Sequence, residues 1–275
     1  MRQYKELIKR IMTTGELSDD RTGTGTRRIF GAMMEFNCSD RLPLVTLKYT
    51  HYPAIIHELI WFIKGDTNIN YLQRNGVRIW DEWADDTGEV GPMYGAMWRG
   101  NTRDGIDQLA KAINDIKVNP SSRRIIIDCW DPRYIPLDGF SPQKNVEMGQ
   151  MALAPCHMFM QFYVRRNGVL DMLMYQRSVD SFLGLPFNIA SYAILLNLVA
   201  QVTGRLPGKL TWMGGDVHIY NNHVEQVEEM LTREPKSPPI LRVNPELTNI
   251  NEVKFDDIEV LGYEYHPKLV GKISV

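Results

Sequence analysis

One cysteine of this sequence lies in a setting that suits a nucleophile. Cys156 occupies the segment ALAPCH, residues 152–157, directly before an apolar run that predicts a strand. A cysteine thiolate attacks electron-poor carbon atoms where nearby cations favour its formation. The alternative is a buried, inert cysteine, because free cysteines usually pack as small apolar side chains. The other two cysteines, Cys38 and Cys129, lie inside strand-like segments, which indicates a structural role.

Arginines recur in polar loops and at strand edges, where a guanidinium group can bind an anion. The set consists of Arg21, Arg123, Arg124 and Arg177. Each one alone is typical of a solvated surface charge. If several converge in the fold, they form a bidentate site for a phosphate group. The TGTG loop after Arg21 lacks the lysine of a Walker motif, so it adds little to this prediction.

A carboxylate and two tryptophans extend the set of candidates. Glu58 falls on the apolar stripe of a helix predicted over residues 53–64. A carboxylate there must be paired, hydrated or functional, and a raised pKa would suit acid–base chemistry. The alternative is that Glu58 faces the polar margin of the helix. Trp80 and Trp83 are either core aromatics or a stacking wall for a flat ligand.

The composition restricts the class of protein and its partners. The chain has 275 residues, a net charge of −2 and 23% charged residues, which favours a globular protein without nucleic acid or membrane as a partner. Three cysteines without metal-ligand spacing predict neither a disulfide framework nor a metal site. The N-terminal residues do not resemble a signal peptide, and residues 189–202 are too short and polar a stretch to span a membrane. We therefore expect a cytoplasmic protein; a phage-encoded one would act in the host cytoplasm.

Apolar spacing predicts the elements that must position these residues. Helices are predicted over residues 2–14, 53–64, 105–117, 186–202 and 222–233. Strands are predicted over residues 28–36, 124–130, 158–164, 169–175 and 210–219, with strand and coil after residue 253. Residues 77–99 are interpreted as an aromatic loop, and residues 131–150 as an exposed excursion. Because no linker or composition break divides the chain, we expect one α+β domain over residues 1–275.

Taken together, the motifs resemble those of the thymidylate synthase family, of the folate-dependent, dimeric kind. The resemblance runs from Tyr4 to Val275. Its telling segments are residues 19–26 (DDRTGTGT), 55–72, 79–99, 121–127, 151–157 (MALAPCH), 175–192 and 214–226 (GGDVHIYNNHVEQ). The resemblance implies a large mixed β-sheet flanked by helices, with the sheet at a homodimer interface. It also implies reductive methylation of dUMP to dTMP, with 5,10-methylenetetrahydrofolate as co-substrate and dihydrofolate as the second product.

The resemblance implies a role for each nucleotide-binding residue. Cys156 would add to C6 of uracil and so make C5 nucleophilic. Arg21, Arg177 and Ser178 would bind the phosphate group. Arg123 and Arg124 would reach across the dimer and bind the phosphate group in the site of the partner subunit. The residues implied for the base and the sugar are Asn188 for the uracil edge and His218 with Tyr220 for the 3′-hydroxyl.

Further roles are implied on the folate side. Glu58 would act as the acid–base residue that helps to release the carbon unit, and Tyr94 would belong to the water network for proton removal at C5. Asp180 is implied in both catalysis and folate binding. The remaining residues of the implied folate site are Trp80, Trp83, Leu153, Gly184 and Val275, the last of which closes over the ligands to exclude water.

Some positions differ from the family pattern, and other functions compete. Tyr49 and Pro53 stand where the family has basic residues, the segment between Arg124 and Cys156 is longer than in typical bacterial members, and the tail resembles some phage members. A dUMP hydroxymethylase, in which water captures the methylene intermediate, is the main alternative. A dCMP enzyme is disfavoured because Asn188 is not aspartate. A cysteine hydrolase and a non-catalytic nucleotide or RNA binder are the other classes weighed.

Overall fold

The computed structural model describes residues 1–20, 23–102 and 105–272. Its strands are β1 (Glu16–Ser18), β2 (Thr26–Asn37), β3 (Ile126–Asp128), β4 (His157–Val164), β5 (Val169–Asp180), β6 (Leu206–Tyr220), β7 (Ile240–Val243) and β8 (Ile258–Leu261). Six of them form a sheet in the order β1-β2-β6-β5-β4-β3, and β7 pairs with β8. In the large sheet β5 and β6 are parallel, whereas the other neighbours are antiparallel.

Helices flank this mixed sheet, as the sequence predicts for an α+β fold. They are α1 (Arg2–Thr14), α2 (Tyr52–Ile63), α3 (Asn70–Arg74), α4 (Tyr94–Arg99), α5 (Gln108–Val118), α6 (Pro142–Glu147), α7 (Gly184–Thr203) and α8 (Val224–Thr232). Short 3₁₀ turns occur at Asn221–His223, Ile250–Glu252 and Phe255–Asp257. The amphipathic α1 buries Tyr4, Leu7, Ile8 and Ile11.

The central helix, α7, is apolar on all sides and therefore lies inside the core. It packs against β5, β6 and α2. By length and hydropathy α7 could cross a membrane, but 78% of its most apolar window is buried within the protein, as in the core helix of a globular domain. Gly204 ends the helix with φ of +66°, a left-handed conformation that favours glycine.

Three adjacent strands share an irregular position that shapes the sheet. In β6, Asp216 pairs with Phe30 of β2 and with Ser178 of β5, and Gly214 pairs with Ala32 and with Gln176. The residues between these positions are Gly31 in β2 and Gly215 in β6, and neither has a register partner. Gly31 has φ of +80°. A Cβ atom on Gly215 would come within 2.8 Å of the Arg177 carbonyl oxygen, so only glycine allows this close approach.

One face of the sheet leaves large apolar side chains exposed. Phe30 is 86% exposed and Met33 is 61% exposed. Together with Tyr175 and Met213 they line one shallow depression. An exposed apolar patch on a sheet face is a feature of protein–protein contact sites.

Several predicted boundaries were wrong for identifiable physical reasons. Residues 77–99 were expected to be a loop, yet they contain α4, whose residues 94–98 are all buried. The excursion, residues 131–150, is not wholly exposed: it contains α6, and Asn145 is buried. The strand predicted over residues 124–130 shortens to β3, and α5 begins three residues late because the Asp107 side chain caps Ala110. Strand β8 falls in the segment after residue 253 that was predicted as strand and coil, whereas its partner β7 was not predicted.

Candidate functional site

Cys156 lies directly before β4, and its backbone is held from two sides. Its N–H donates to the Tyr94 hydroxyl oxygen at 2.9 Å. Its carbonyl accepts the backbone N–H of Arg177, in β5, at 2.8 Å. Cys156 forms no disulfide, and the residue as a whole is partly exposed. Because both backbone groups are engaged, the position of the Cys156 backbone is set by the fold.

The Arg177 guanidinium hydrogen-bonds to the loop that carries the cysteine. Its Nε donates to the Pro155 carbonyl and its Nη2 to the Ala154 carbonyl, both at 2.8 Å. The Cζ atom lies 5.4 Å from the centroid of the Trp130 ring. An arginine has five N–H donors, so donors remain for an anion beside the thiol.

The pKa of the Cys156 thiol is set by two opposing effects. Burial raises it, while the Arg177 guanidinium lowers it and the Asp180 carboxylate raises it. Arg177 therefore favours the thiolate, but burial is the larger cause and the pKa of the thiol lies above its ordinary value. Cys38 and Cys129 are fully buried, and burial raises the pKa of each to about 12. Their thiols are inert near neutral pH.

Two stacked aromatic rings, those of Tyr94 and His157, lie beside the cysteine loop. The rings of Tyr94 and His157 lie parallel, with centroids 4.2 Å apart. His157 Nδ1 hydrogen-bonds to the Tyr192 hydroxyl at 2.8 Å. Burial lowers the pKa of His157 to about 3, so the ring is neutral at physiological pH. Since this histidine bonds to Tyr192 rather than to the thiol, the geometry does not favour a cysteine–histidine hydrolase.

The orientation of Asn188 is fixed by a chain of hydrogen bonds through α7, β5 and β6. The indole N–H of Trp212, which can only donate, meets Gln176 Oε1 at 3.2 Å. Gln176 Nε2 therefore faces Asn188 Oδ1, at 2.9 Å. The Asn188 amide N–H₂ is left to donate, and a second lone pair of Oδ1 is left to accept. This donor–acceptor pair is complementary to the O4 and N3–H edge of uracil.

A second polar group stands at the end of β6. His218 Nδ1 lies 2.9 Å from Asp216 Oδ1, and Arg28 binds the other Asp216 oxygen at 3.0 Å. The carboxylate holds the proton of the histidine on Nδ1, which leaves Nε2 for a ligand. The ring of Tyr220 meets that of His218 edge-on at 5.1 Å. The two predicted sugar-binding residues are thus adjacent.

Asp180 and Gly184 lie where β5 turns into α7. Asp180 Oδ1 accepts the N–H groups of Phe182 and Leu183 at 2.9 and 3.0 Å, so it closes the turn before the helix. A Cβ atom on Gly184 would lie 3.7 Å from both Asn188 Oδ1 and Asp180 Cβ. Asp180 is also the register partner of His218. The turn therefore joins the predicted folate residues to the nucleotide residues.

Glu58 is buried in α2 and is not on a polar margin. Its Oε1 accepts the indole N–H of Trp80 at 2.7 Å. Burial raises the pKa of Glu58 from 4.5 to about 7, although the Trp80 hydrogen bond acts in the opposite direction. The Trp80 ring packs 6.0 Å from that of Tyr94, which connects this acid to the cysteine loop. A carboxyl group that titrates near neutral pH is suited to acid–base work.

The remaining folate and phosphate candidates lie around this centre. Trp83 and Leu153 are partly buried and pack on the core beside it. Ser178 lies next to Arg177 in β5 and pairs in register with Asp216.

Of the remaining predicted residues, two lie on the protein surface and two lie outside the described residues. Arg123 and Arg124 are exposed before β3, and no carboxylate of the described residues pairs with either. Arg21 and Val275 lie outside the described residues. Near the chain end, the Lys272 carbonyl hydrogen-bonds to His223 Nε2 at 2.8 Å.

Within residues 1–20, 23–102 and 105–272, no three His, Cys, Asp or Glu side chains converge as a metal site would require.

Sequence reasoning missed the residues that orient others. Gln176 and Trp212 fix Asn188, and His157 stacks on Tyr94, but each looks like an ordinary strand residue in the sequence. Lys48 is buried with its Nζ 4.7 Å from the centroid of the Phe182 ring, and burial lowers its pKa to about 8. A lysine inside the apolar run LVTLKYT was the available signal.

Comparison with known proteins identifies the family of the chain. The family model described as Thymidylate synthase matches residues 2–275. Thymidylate synthases of Francisella tularensis subsp. holarctica, strains FTNF002-00 / FTA, OSU18 and LVS, are each 50% identical over 275 residues, which is 100% of both chains. The matches therefore extend over the whole arrangement described above. The chain belongs to the thymidylate synthase family.

Proposed function

We propose that this protein is a thymidylate synthase that converts dUMP to dTMP, with 5,10-methylenetetrahydrofolate as co-substrate and dihydrofolate as the second product. The observation that carries the proposal is the position of the partly exposed Cys156 in a loop that is hydrogen-bonded to Arg177, together with the Asn188 amide that Gln176 orients. Family membership supports the same reaction.

Recognition of the nucleotide follows from the polar groups of β5, β6 and α7. Asn188 donates from Nδ2 to uracil O4 and accepts uracil N3–H at Oδ1. The free N–H donors of Arg177, with Ser178 beside it and Arg21, bind the phosphate group. His218 and Tyr220 hold the 3′-hydroxyl, with His218 fixed by Asp216 at 2.9 Å. For Asn188, Arg177 and His218, the assignment uses donors or acceptors that their described hydrogen bonds leave available.

The chemistry begins at Cys156. Its Sγ adds to C6 of uracil as the thiol proton leaves, and the electron pair of the C5–C6 bond moves to C5, which becomes nucleophilic. Binding of the phosphate group consumes donors of Arg177 but keeps its charge beside the sulfur. Tyr94 accepts the Cys156 N–H, so its own hydroxyl hydrogen is available to a water chain that removes the C5 proton.

Glu58 and the tryptophans form the folate side of the site. Folate supplies both the one-carbon unit and the hydride that completes the methyl group. The flat aromatic rings of Trp80 and Trp83 suit a pterin, and Leu153, Asp180 and Gly184 complete the wall. Glu58, which titrates near pH 7, holds or releases the proton needed as the carbon unit is transferred. Val275 would close the site against water.

A homodimer is part of the proposal. The exposed sheet face around Phe30 and Met33 is the surface that a second copy would cover. Arg123 and Arg124 are exposed and lack a carboxylate partner in the described chain, as expected if they bind the phosphate in the partner's site. We also infer a single catalytic domain, since one core cluster extends from α1 to β8. Three free thiols agree with a reducing, cytoplasmic location.

The test is the identity of the product. Purified protein is incubated with dUMP and methylenetetrahydrofolate, the nucleotide is analysed by mass, and dihydrofolate is followed by absorbance. Equal amounts of dTMP and dihydrofolate are expected. Hydroxymethyl-dUMP with regenerated tetrahydrofolate would show that water captures the intermediate and would contradict the proposal, as would no conversion of dUMP.

A further inference from the structure

The excursion, residues 131–150, is an ordered unit built around one buried amide. Asn145 is 2% exposed. Its Oδ1 accepts the Leu137 N–H at 2.7 Å, and its Nδ2 donates to the Leu137 and Ser141 carbonyls at 3.3 Å. The Ser141 side chain caps α6 by accepting the Lys144 N–H at 3.2 Å. The position of α6 is therefore determined by the excursion's own hydrogen bonds.

Helix α6 places Gln143 against the segment that carries the tryptophans. Gln143 Nε2 donates to the carbonyl of Glu82 at 2.9 Å and to that of Ala84 at 3.3 Å. These two carbonyls flank Trp83 in the chain. One amide thus holds the backbone on both sides of that tryptophan.

The same backbone turn leads to the buried acid. The N–H groups of Trp83 and Ala84 both donate to the Trp80 carbonyl, at 3.0 and 3.2 Å. The Trp80 indole in turn donates to Glu58 at 2.7 Å. A continuous series of hydrogen bonds therefore runs from Gln143 through the turn to Glu58.

The far end of the excursion is also tied to this region. The Ala152 N–H donates to the Val90 carbonyl at 3.0 Å. A Cβ atom on Gly91 would collide with the Gln150 carbonyl, so the two segments pack in direct backbone contact. The excursion is consequently attached to the segment between α3 and α4 at two places, through α6 and at its C-terminal end.

We propose that Gln143 is a positioning residue for the folate side of the site: its amide fixes the turn at residues 80–84, and through that turn it sets Trp80 and Trp83 for the pterin. This proposal rests on the proposed function for the location of the folate. It assigns to the excursion a role in co-substrate binding, whereas the nucleotide side, which β5, β6 and α7 hold, does not depend on it.

The test compares two variants that remove the donor with a neighbouring control. Gln143→Ala removes the amide, and Gln143→Glu keeps its shape but cannot donate to a carbonyl. Lys144→Ala changes the next residue of α6, whose exposed ion pair with Glu147 contributes little. KM for methylenetetrahydrofolate, the dissociation constant of dUMP, Tm and amide hydrogen exchange over residues 80–84 are measured for each.

Both Gln143 variants are expected to raise the folate KM about three- to tenfold, the range for one lost hydrogen-bonding group. Exchange at residues 83 and 84 should accelerate, while dUMP binding and the Lys144→Ala protein stay within about twofold of wild type. An unchanged folate KM, or equal losses for folate and dUMP with a lower Tm, would overturn the proposal. If wild type makes no dTMP, the proposed function fails instead, and the exchange data still decide whether Gln143 holds the turn.

Discussion

The two sides of the site are held in different ways. On the nucleotide side, Cys156, Arg177 and Asn188 are fixed by hydrogen bonds of 2.8–2.9 Å to backbone groups, to the Tyr94 hydroxyl and to Gln176. On the folate side, the side chains of Glu58 and Trp80 share one hydrogen bond, and the Trp80 ring packs against the rings of Trp61 and Phe62. Hydrogen bonds of the sheet therefore pre-organise the nucleotide-binding residues. On the folate side, burial sets the pKa of Glu58. Substitutions on the two sides should act on different steps.

The largest effect is expected for the nucleophile. Cys156→Ala should lower turnover by more than about 10³-fold, since no other thiol can attack C6. Binding of dUMP should persist, because Arg177 and Asn188 do not depend on the sulfur. Calorimetric titration with dUMP and a turnover assay measure the two quantities. Cys129→Ala, which removes a buried thiol, is the control and should retain turnover; substantial turnover by Cys156→Ala would refute the assignment.

Asn188→Asp should change which base is accepted. One carboxylate oxygen can still accept the Gln176 N–H. The other replaces the amide nitrogen that donates to uracil O4, and as an acceptor it instead suits the amino group of cytosine. The ratio of kcat/KM for dUMP over dCMP should fall at least about 10²-fold. Steady-state kinetics with both nucleotides measure it. An unchanged ratio would show that Asn188 does not read the base.

The next effect concerns Glu58 on the folate side. Glu58→Gln should lower kcat about 10²-fold, because the amide cannot release or take up the proton. The dissociation constant of dUMP should stay constant, since Glu58 lies on the other side of the site. Kinetics and dUMP titration of the same preparation measure both. Loss of dUMP affinity as large as the loss of kcat would contradict the division between the two sides.

The same variant gives a pH-dependence with a definite sign. Burial raises the pKa of Glu58 from 4.5 to about 7, so between these values the folded protein holds a proton that the unfolded chain has released. The Glu58 contribution therefore lowers the free energy of unfolding as pH rises from 4.5 through 7. Relative to wild type, Glu58→Gln should become more stable from pH 5 to pH 8, as measured by urea unfolding. A stability difference independent of pH would contradict the buried acid.

The smallest effect is expected for the tryptophan hydrogen bond. Trp80→Phe removes the indole N–H that lowers the pKa of Glu58. The pKa of Glu58 should therefore rise, by at most about two units. The pH at which kcat changes should move upward with it. Trp83→Phe is the matched control, since its indole has no hydrogen bond to Glu58. Equal pH profiles for both variants would show that burial alone sets the pKa.

The same contrast explains what the sequence could predict. Helix α1 follows from apolar spacing, α7 from the length of its mostly apolar run, and the strands β4 and β5 from the turn RRNG between them. Helix α4 was missed because its residues are buried on every side and show no amphipathic period. Helix α6 was missed too, although Ser141 before Pro142 is a helix-start signal.

For the site, chemistry-bearing residue types and the family resemblance identified Cys156, Glu58 and Asn188. What the sequence did not show is which groups orient them. The pairing of Gln176 with Asn188 depends on a parallel neighbour, β6, that supplies Trp212 from 36 residues away. The net effect of burial on the Cys156 pKa depends equally on three-dimensional packing, which outweighs the nearby arginine.

The most direct test of the account is protection of Cys156 by the nucleotide. The protein is treated with iodoacetamide near pH 8, with and without dUMP, and the labelling of each cysteine is followed by peptide mass spectrometry. The account predicts that Cys156 is alkylated in the free protein and strongly protected by dUMP, while buried Cys38 and Cys129 stay unlabelled throughout. Equal labelling of Cys156 with and without saturating dUMP would contradict a nucleotide bound over this thiol.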